Sequence, residues 1–427
     1  MPFTLTIVWL VVLTAVALMW LSRHVQISKA GSGHQTLSAT SHDGPPEPAP
    51  TVSVLVAAKD EEENIEACVE SFLEQDYPHY ELIVIDDRSS DRTPELLRQL
   101  QSRFDGRLQV ITVERLREGW FGKNNAMREG VAVAGGEWLC FADADCRQTS
   151  RRTLSMAVRE AVGDGTDFLS VLPVVETKSF WERIIQPACG AVLIYWFHPD
   201  KVNDAESKAA YANGAFMLVR RATYDAIGGH QRVRTQVNED IHMARFCKEA
   251  GHKLRVVLND GLYVARMYSS MGQIWRGWSR IFYGCLGSFR RLMAALLILL
   301  TFSVFPWFSL LAALVGLTVT QGDARDPLWY VLVASTVAVA LQQSVMVRFY
   351  RLSRFGPKWS ALYLLGALIC SAMLCNAMLK LGGLTKVTWR GTSYRGRSLD
   401  GAGDRKAPEA AVAGAGPTPE EVGAHVP

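Results

Sequence analysis

The chain has 427 residues, room for two to three domain-sized units at about 150 residues each. Apolar residues make up 49% and charged residues only 20%, which excludes a largely disordered chain and points to membrane attachment. The 45 basic side chains nearly balance the 42 acidic ones, and a formal +3 excludes organisation around nucleic acid.

Residues 1–22 carry no charge and are rich in Val, Leu, Ala and Trp, long enough to cross a bilayer as a helix. No basic n-region precedes them, so the stretch reads as a retained anchor and not a cleaved signal. Arg23 and Lys29 follow it and place the downstream side in the cytoplasm, at the cell (inner) membrane. Residues 23–50 contain few large apolar side chains beyond Ile27 and predict a flexible tether.

From Val52 the pattern changes. VSVLVAA (52–58), ELIVID (81–86), LQVITV (108–113) and WLCFA (138–142) are buried-strand runs. They alternate with helical periodicity around 65–73, 93–103 and 123–134, which predicts an α/β domain over 51–269 with a mostly parallel sheet. Ligands on such sheets bind beyond the strands' carboxyl ends. An amphipathic segment at 270–291 reads as an interfacial helix, with Ile274, Trp275, Trp278, Ile281 and Phe282 as its apolar stripe. Leu292–Thr320, Leu328–Val347 and Trp359–Leu379, within 292–382, are each long enough to span. A basic segment with Trp389-Arg390-Gly391 occupies 383–399, and 400–427 predicts a disordered tail. The eight cysteines form no C-x-x-C pair, which argues against a disulfide framework or zinc site and fits a reducing compartment.

Two strands end in acids: Asp87 follows ELIVID, and Asp143-Ala144-Asp145 follows WLCFA. A buried unpaired acid is costly, so each needs a donor, a cation or water. Asp91, before Thr93-Pro94, reads as a helix cap. Two carboxylates two residues apart after an apolar strand suit a hard divalent ion shared with substrate phosphates, Mg2+ or Mn2+. Lys123 lies between a Gly-x-x-Gly turn and a helix start, where a cation and free amides could meet a phosphate; a solvated lysine is the competing reading.

VAAKDEEENI (56–65), IDDRSSD (85–91), FADADC (141–146), ANGAFMLVRR (212–221), VNED (237–240) and QIWRGWSR (273–280) stand in an order and spacing that resembles glycosyltransferase family 2. GWFGKNNAMREG (119–130), Gly228-Gly229-His230, Arg266-Met267-Tyr268 and Trp389-Arg390-Gly391 resemble its membrane-bound members acting on isoprenoid lipids such as carotenoids and hopanoids, and more distantly the ceramide glucosyltransferases. The resemblance implies a GT-A fold, a Rossmann-like mixed sheet, with N-terminal and C-terminal transmembrane helices. It implies nucleotide-sugar binding through Ala58, Asp87, Lys123 and Asp143, with Asp87 holding a uracil. Asp143 and Asp145 are the implied metal and diphosphate pair, and Glu239-Asp240 the catalytic pair, with Asp240 as base.

Gln273, Arg276 and Trp278 resemble a Q-x-x-R-W element that contacts the donor, except that Gly277 occupies the tryptophan's place. His242, two residues past Asp240, reads as structural. Phe180–Phe197 is apolar but broken by Pro187, so core or acceptor-groove lining is expected over a membrane span. Loop 348–358 is basic and suits the inside, whereas a full third span after it would put the basic 380–397 region outside. A re-entrant Trp359–Leu379, bringing Trp389–Tyr394 back to the active site, resolves that conflict. The expected activity is inverting transfer from a nucleotide-sugar, UDP-linked, to the hydroxyl of a membrane lipid, an isoprenoid. The alternatives are a processive polysaccharide synthase, disfavoured by few spans and the displaced Trp278, and an inactive nucleotide-sugar-binding scaffold, disfavoured by the acidic set.

Overall fold

The computed structural model describes residues 3–30, 36–385, 387–389 and 392–394. The tail expected to be disordered, and Arg390 and Gly391, lie outside the described residues. The strands among the described residues are β1 (Thr36–Ser38), β2 (Val52–Ala58), β3 (Tyr80–Asp86), β4 (Leu108–Thr112), β5 (Trp138–Asp143), β6 (Cys146–Gln148), β7 (Phe168–Leu172), β8 (Val174–Val175), β9 (Phe216–Arg220), β10 (Leu254–Asp260), β11 (Tyr263–Ala265), and the antiparallel pair β12 (Val387–Trp389) and β13 (Thr392–Tyr394).

Eight of them form one sheet in the order β1-β10-β7-β9-β5-β2-β3-β4, while β6, β11 and β8 form a small second sheet. All pairs in the large sheet are parallel except those of β9, which runs antiparallel between β5 and β7. The four expected strands fall where the apolar runs lie; β2, β3 and β5 are buried on both faces by helices, while β4 is a half-exposed edge strand. From β2 the chain moves outward through β3 and β4, then returns to pair β5 with the opposite edge of β2. That reversal opens a crevice at the carboxyl ends, with Asp143 in register with Ala57 and Asp86 in register with Ala58.

The anchor helix runs Phe3–Ala30, longer than the uncharged stretch. Among the described residues four helices are long and apolar enough to cross a membrane: Thr4–Ser28, Phe289–Val319, Asp326–Leu352 and Pro357–Leu381. The second contains a π turn at Leu300–Val304, directly before Pro306, which lacks the N–H that a regular ladder would use. Trp9 donates to Ser309 Oγ at 2.7 Å and Trp20 to the Phe302 carbonyl at 2.9 Å, tying the anchor to that helix. Arg348 reaches His24 Nδ1 at 3.1 Å and Ser28 Oγ at 2.8 Å, so the basic ends of the first and third helices lie side by side.

Residues 36–43 of the segment read as a tether are held on the domain. Thr36–Ser38 adds a parallel edge strand to β10, and Leu37 is buried. The Arg152 guanidinium donates to the carbonyls of Ala39, His42 and Asp43 at 2.6–2.7 Å. A three-residue strand held by a distant arginine leaves no periodicity in the local sequence. Phe180–Trp196 is a single helix, started by a Ser179–Glu182 capping box and packed against Tyr363–Leu381 with Ile184, Ile185, Ala188 and Cys189 buried; it is not among the four long apolar helices.

Candidate functional site

The helix Gly122–Val133 begins beside the loop before Glu239 because buried Asn124 donates to the carbonyls of Val233 at 2.7 Å and Gln236 at 2.9 Å. Phe121 N–H also donates to Arg234 O at 2.7 Å. These bonds bring Lys123 to the acids. Its ammonium lies 2.6 Å from Asp143 Oδ1 and 2.7 Å from Glu239 Oε1, joining the end of β5 to the start of the helix Glu239–Glu249. The solvated-lysine reading of Lys123 is therefore excluded.

Asp240 is held differently. Gly214 N–H donates to its Oδ2 at 3.0 Å, and Ile241 N–H to its Oδ1 at 2.8 Å. A Cβ at Gly214 would stand 2.8 Å from Lys123 Nζ, 3.5 Å from Glu239 Oε1 and 3.6 Å from Asp240 Oδ2. Glycine is thus what lets one backbone amide approach three charged side chains.

The charges follow from this packing. Burial and then the Glu239 charge push Asp240 up to about 7, against the pull of Lys123 and the two amide donors. Burial, then Asp143 and Glu61, push Asp145 up to about 7. Burial would lower Lys123, but Asp143 and Glu239 hold it well above its ordinary value. Glu239, 4% exposed, is committed to that ion pair, whereas Asp240 keeps a carboxylate edge on the cleft.

Asp87 is buried, and its carboxylate is gripped by Arg88 Nε at 2.9 Å and Nη2 at 3.0 Å. Lys59 donates to the carbonyls of both residues at 3.1 Å. Asp60 and Arg88, just beyond β2 and β3, both take positive φ, 53° and 58°. Such strained backbone is typical of ligand clamps. Asp91 is not the N-cap expected, since Arg92 holds that position; it stands one residue earlier and accepts from Thr93 N–H at 2.9 Å and Glu62 N–H at 3.0 Å. His242 is depressed to about 4 by burial and Arg245 and packs near the Phe246 ring, a structural neutral histidine.

The helix Met271–Leu286 closes the far side. Gln273 accepts from Ser269 N–H at 2.8 Å, Trp278 is buried, and Arg276 is exposed along the cleft. The missing tryptophan has a steric cause: any side chain at Gly277 would collide with the Tyr268 phenol, which occupies that space. Asn238 donates to Cys285 Sγ at 3.0 Å and pins this helix to the loop carrying Glu239 and Asp240.

All ten expected site residues, Ala58, Asp87, Lys123, Asp143, Asp145, Glu239, Asp240, Gln273, Arg276 and Trp278, line one cleft of about 2440 Å3. Ligand pockets usually enclose about 300–1,000 Å3. The excess lies toward the apolar helices, where Trp20, Leu299, Phe302 and Val345 are among the lining. Arg88, Asn124, Gly214 and Tyr268 have no individual role legible in the sequence, although each lies in a motif segment: IDDRSSD, GKNNA, ANGAF and Arg266-Met267-Tyr268.

Asp143 and Asp145 fit a divalent ion completed by substrate oxygens. Burial and two neighbouring carboxylates raise Asp145, so a cation there would relieve real charge crowding. Among the described residues no three His, Cys, Asp or Glu side chains gather as a self-sufficient cage.

A mixed sheet with acids at the carboxyl ends of its central strands, joined to four membrane-capable helices, is a GT-A domain on a membrane-helix scaffold. A solved mannosyltransferase from Pyrobaculum calidifontis, in complex with GDP-Man and Mn2+, shares this fold, at a TM-score of 0.50 and 18% identity over 85% of this chain and 99% of that one. Residues 53–228 match the profile Glycosyl transferase family 2, and residues 171–342 match Glycosyl transferase family group 2. Together the two matches span residues 53–342, and this region is similar to the family 2 glycosyltransferases. It is similar to the beta-monoglucosyldiacylglycerol synthase of Trichormus variabilis, 31% identical over 42% of this chain and 38% of that protein. The chain thus spans less than half the length of that relative. It is also similar to the 4,4'-diaponeurosporenoate glycosyltransferase of Staphylococcus aureus, 24% identical over 77% of this chain and 82% of that one.

Proposed function

We propose that the protein transfers a sugar from a nucleotide-sugar, UDP-linked, to the hydroxyl of a membrane lipid, with inversion, at the cytoplasmic face of the cell membrane. The observation that carries this reading is Asp240: a carboxylate fixed by two backbone amides, raised to about 7, and open to a cleft that continues into apolar helices. A base poised near the working pH is efficient in removing a hydroxyl proton. Glu239 cannot serve as readily, since Lys123 holds its oxygen at 2.7 Å.

In the proposed step the lipid O–H gives its proton to Asp240. Its oxygen bonds to the anomeric carbon as the carbon–oxygen bond to the diphosphate breaks on the opposite face, and the nucleoside diphosphate leaves. One displacement inverts the configuration. A divalent ion held by Asp143 and Asp145 would neutralise charge on the departing diphosphate. Lys123 and Arg276 add cations on either side, and Asp87 takes the base once Arg88 yields its grip. The adjacent basic ends of the first and third helices support a cytoplasmic active site. An isoprenoid acceptor is supported by the named substrate of the relative that matches most of both chains. Lipid profiling of cells carrying wild type or Asp240→Asn tests the proposal: one glycolipid should vanish and its unglycosylated precursor accumulate. An unchanged lipid profile would refute it.

A further inference from the structure

Three side chains bordering the cleft, Gln186, Trp196 and Trp278, carry polar atoms that the protein leaves without partners, and the first and last of them are almost wholly buried. Gln186 is 2% exposed, and neither its Nε2 nor its Oε1 makes a hydrogen bond. Trp278 is 5% exposed, and its indole N–H is likewise unpaired. They sit on packed helices, Phe180–Trp196 and Met271–Leu286, within an apolar cluster that includes Ile185, Cys189, Ile274 and Phe282. Burying an unpaired amide or indole N–H costs about 1–3 kcal/mol per group, and natural interiors keep such groups rare. Packing does not require either one: leucine would fill the place of Gln186, and phenylalanine that of Trp278.

The unpaired set has a definite polarity. It offers donors from Gln186 Nε2, Trp196 Nε1 and Trp278 Nε1 against a single acceptor, Gln186 Oε1. The reacting oxygen of the acceptor is already committed: a hydroxyl directs its hydrogen to Asp240, an ionised carboxyl has no hydrogen to give, and either turns a lone pair to the sugar. A second oxygen on the lipid must therefore meet the donors, and a carbonyl has two lone pairs to do so. An unsatisfied donor is the more serious defect, so a carbonyl repairs the larger part of it.

We infer that Gln186 and Trp278 form an acceptor subsite selecting a lipid that carries a carbonyl oxygen, of an ester or a carboxyl group, beside the hydroxyl or acidic oxygen that is glycosylated. This rests on the lipid acceptor proposed above and narrows its class. An ester glycerolipid and an isoprenoid carboxylic acid both present that chemistry, while a plain polyprenol does not.

The test needs no sugar donor, so it reads independently of whether transfer occurs. Full-length protein in detergent is titrated with dioleoylglycerol, a C20 polyprenoic acid and a C20 polyprenol, and saturation is followed by thermal shift. Wild type should bind at least one carbonyl lipid about tenfold more tightly than the polyprenol, as the gain of one to two hydrogen bonds implies. The better of the two carbonyl lipids identifies the source. Gln186→Leu should lose that preference, and Trp278→Phe should reduce it. Without lipid, Gln186→Leu should melt no lower than wild type, because the amide contributes no bond to the empty fold. Equal binding of polyprenol and carbonyl lipids, no saturable binding, a preference retained in Gln186→Leu, or a lower melting temperature for Gln186→Leu alone would each overturn the inference.

Discussion

Replacing Lys123 with methionine keeps the aliphatic stem and removes the ammonium that joins Asp143 to Glu239. Side-chain exposures are 18% for Lys123, 36% for Asp143 and 6% for Glu239. Breaking a fully buried pair by deleting one partner costs about 3–5 kcal/mol, because the remaining charge is stranded. Asp143 is over one-third open to water, so its part is screened and small. Glu239 therefore dominates, and the expected loss is about 2–3 kcal/mol at neutral pH. Glu239→Gln alone removes one charge but leaves Lys123 on Asp143, so about 1 kcal/mol is expected. In the double variant the stranded carboxylate is gone, and the combined loss should fall short of the sum by about 1–2 kcal/mol. Urea unfolding of the detergent-solubilised chain, followed by pulse proteolysis in chelator, measures all four corners of the cycle. Losses that add within about 0.5 kcal/mol would refute a direct Lys123–Glu239 coupling.

Four further outcomes are expected. Because Asp240 must be ionised to act, transfer should fall as pH drops through about 7, and Asp240→Asn should abolish it. The raised carboxyl also binds its proton more tightly folded than unfolded, so its contribution to stability is lost as pH rises from the ordinary value of 3.8 towards about 7; Asp240→Asn should raise the melting temperature at pH 8 and lose that advantage near pH 4. Gly214→Ala places a methyl 2.8 Å from Lys123 Nζ, whose flexible end can retreat; kcat should drop about tenfold or more, in line with one displaced charged hydrogen bond, while melting changes little, and wild-type kcat would show that the close approach is immaterial. Arg152→Ala frees the carbonyls of Ala39, His42 and Asp43, so limited proteolysis should cut within 36–45 faster than in wild type, with transfer retained.

The parallel core was legible because strands buried on both faces read as unbroken apolar runs, and Asp143 and Asp145 stood out as acids directly after one of them. The chemistry of Lys123 was half legible: its place at a helix start was visible, but its two carboxylate partners come from residues 20 and 116 positions away in the chain. Long-range partners of that kind leave no local pattern. The same holds for the edge strand at 36–38, whose ladder is completed by β10 more than two hundred residues later. Gly277 looked like a departure from a motif, and only the Tyr268 ring packed over it shows why no larger residue fits. Gln186 follows Glu182 and Arg183 in a largely apolar run and has no distinguishing local pattern; its lack of a side-chain partner is visible only once the neighbouring helices are in place.

The central claim is that one cleft brings a nucleotide-sugar, two metal-binding aspartates and a base to a lipid. Full-length protein in lipid nanodiscs, given Mn2+ and labelled UDP-sugars together with total membrane lipid, tests it most directly. Label should pass into the organic phase with wild type, with the anomeric configuration inverted, and should stay in the aqueous phase with Asp240→Asn or after chelation. Equal transfer by Asp240→Asn, or a product that retains the donor's configuration, would contradict it.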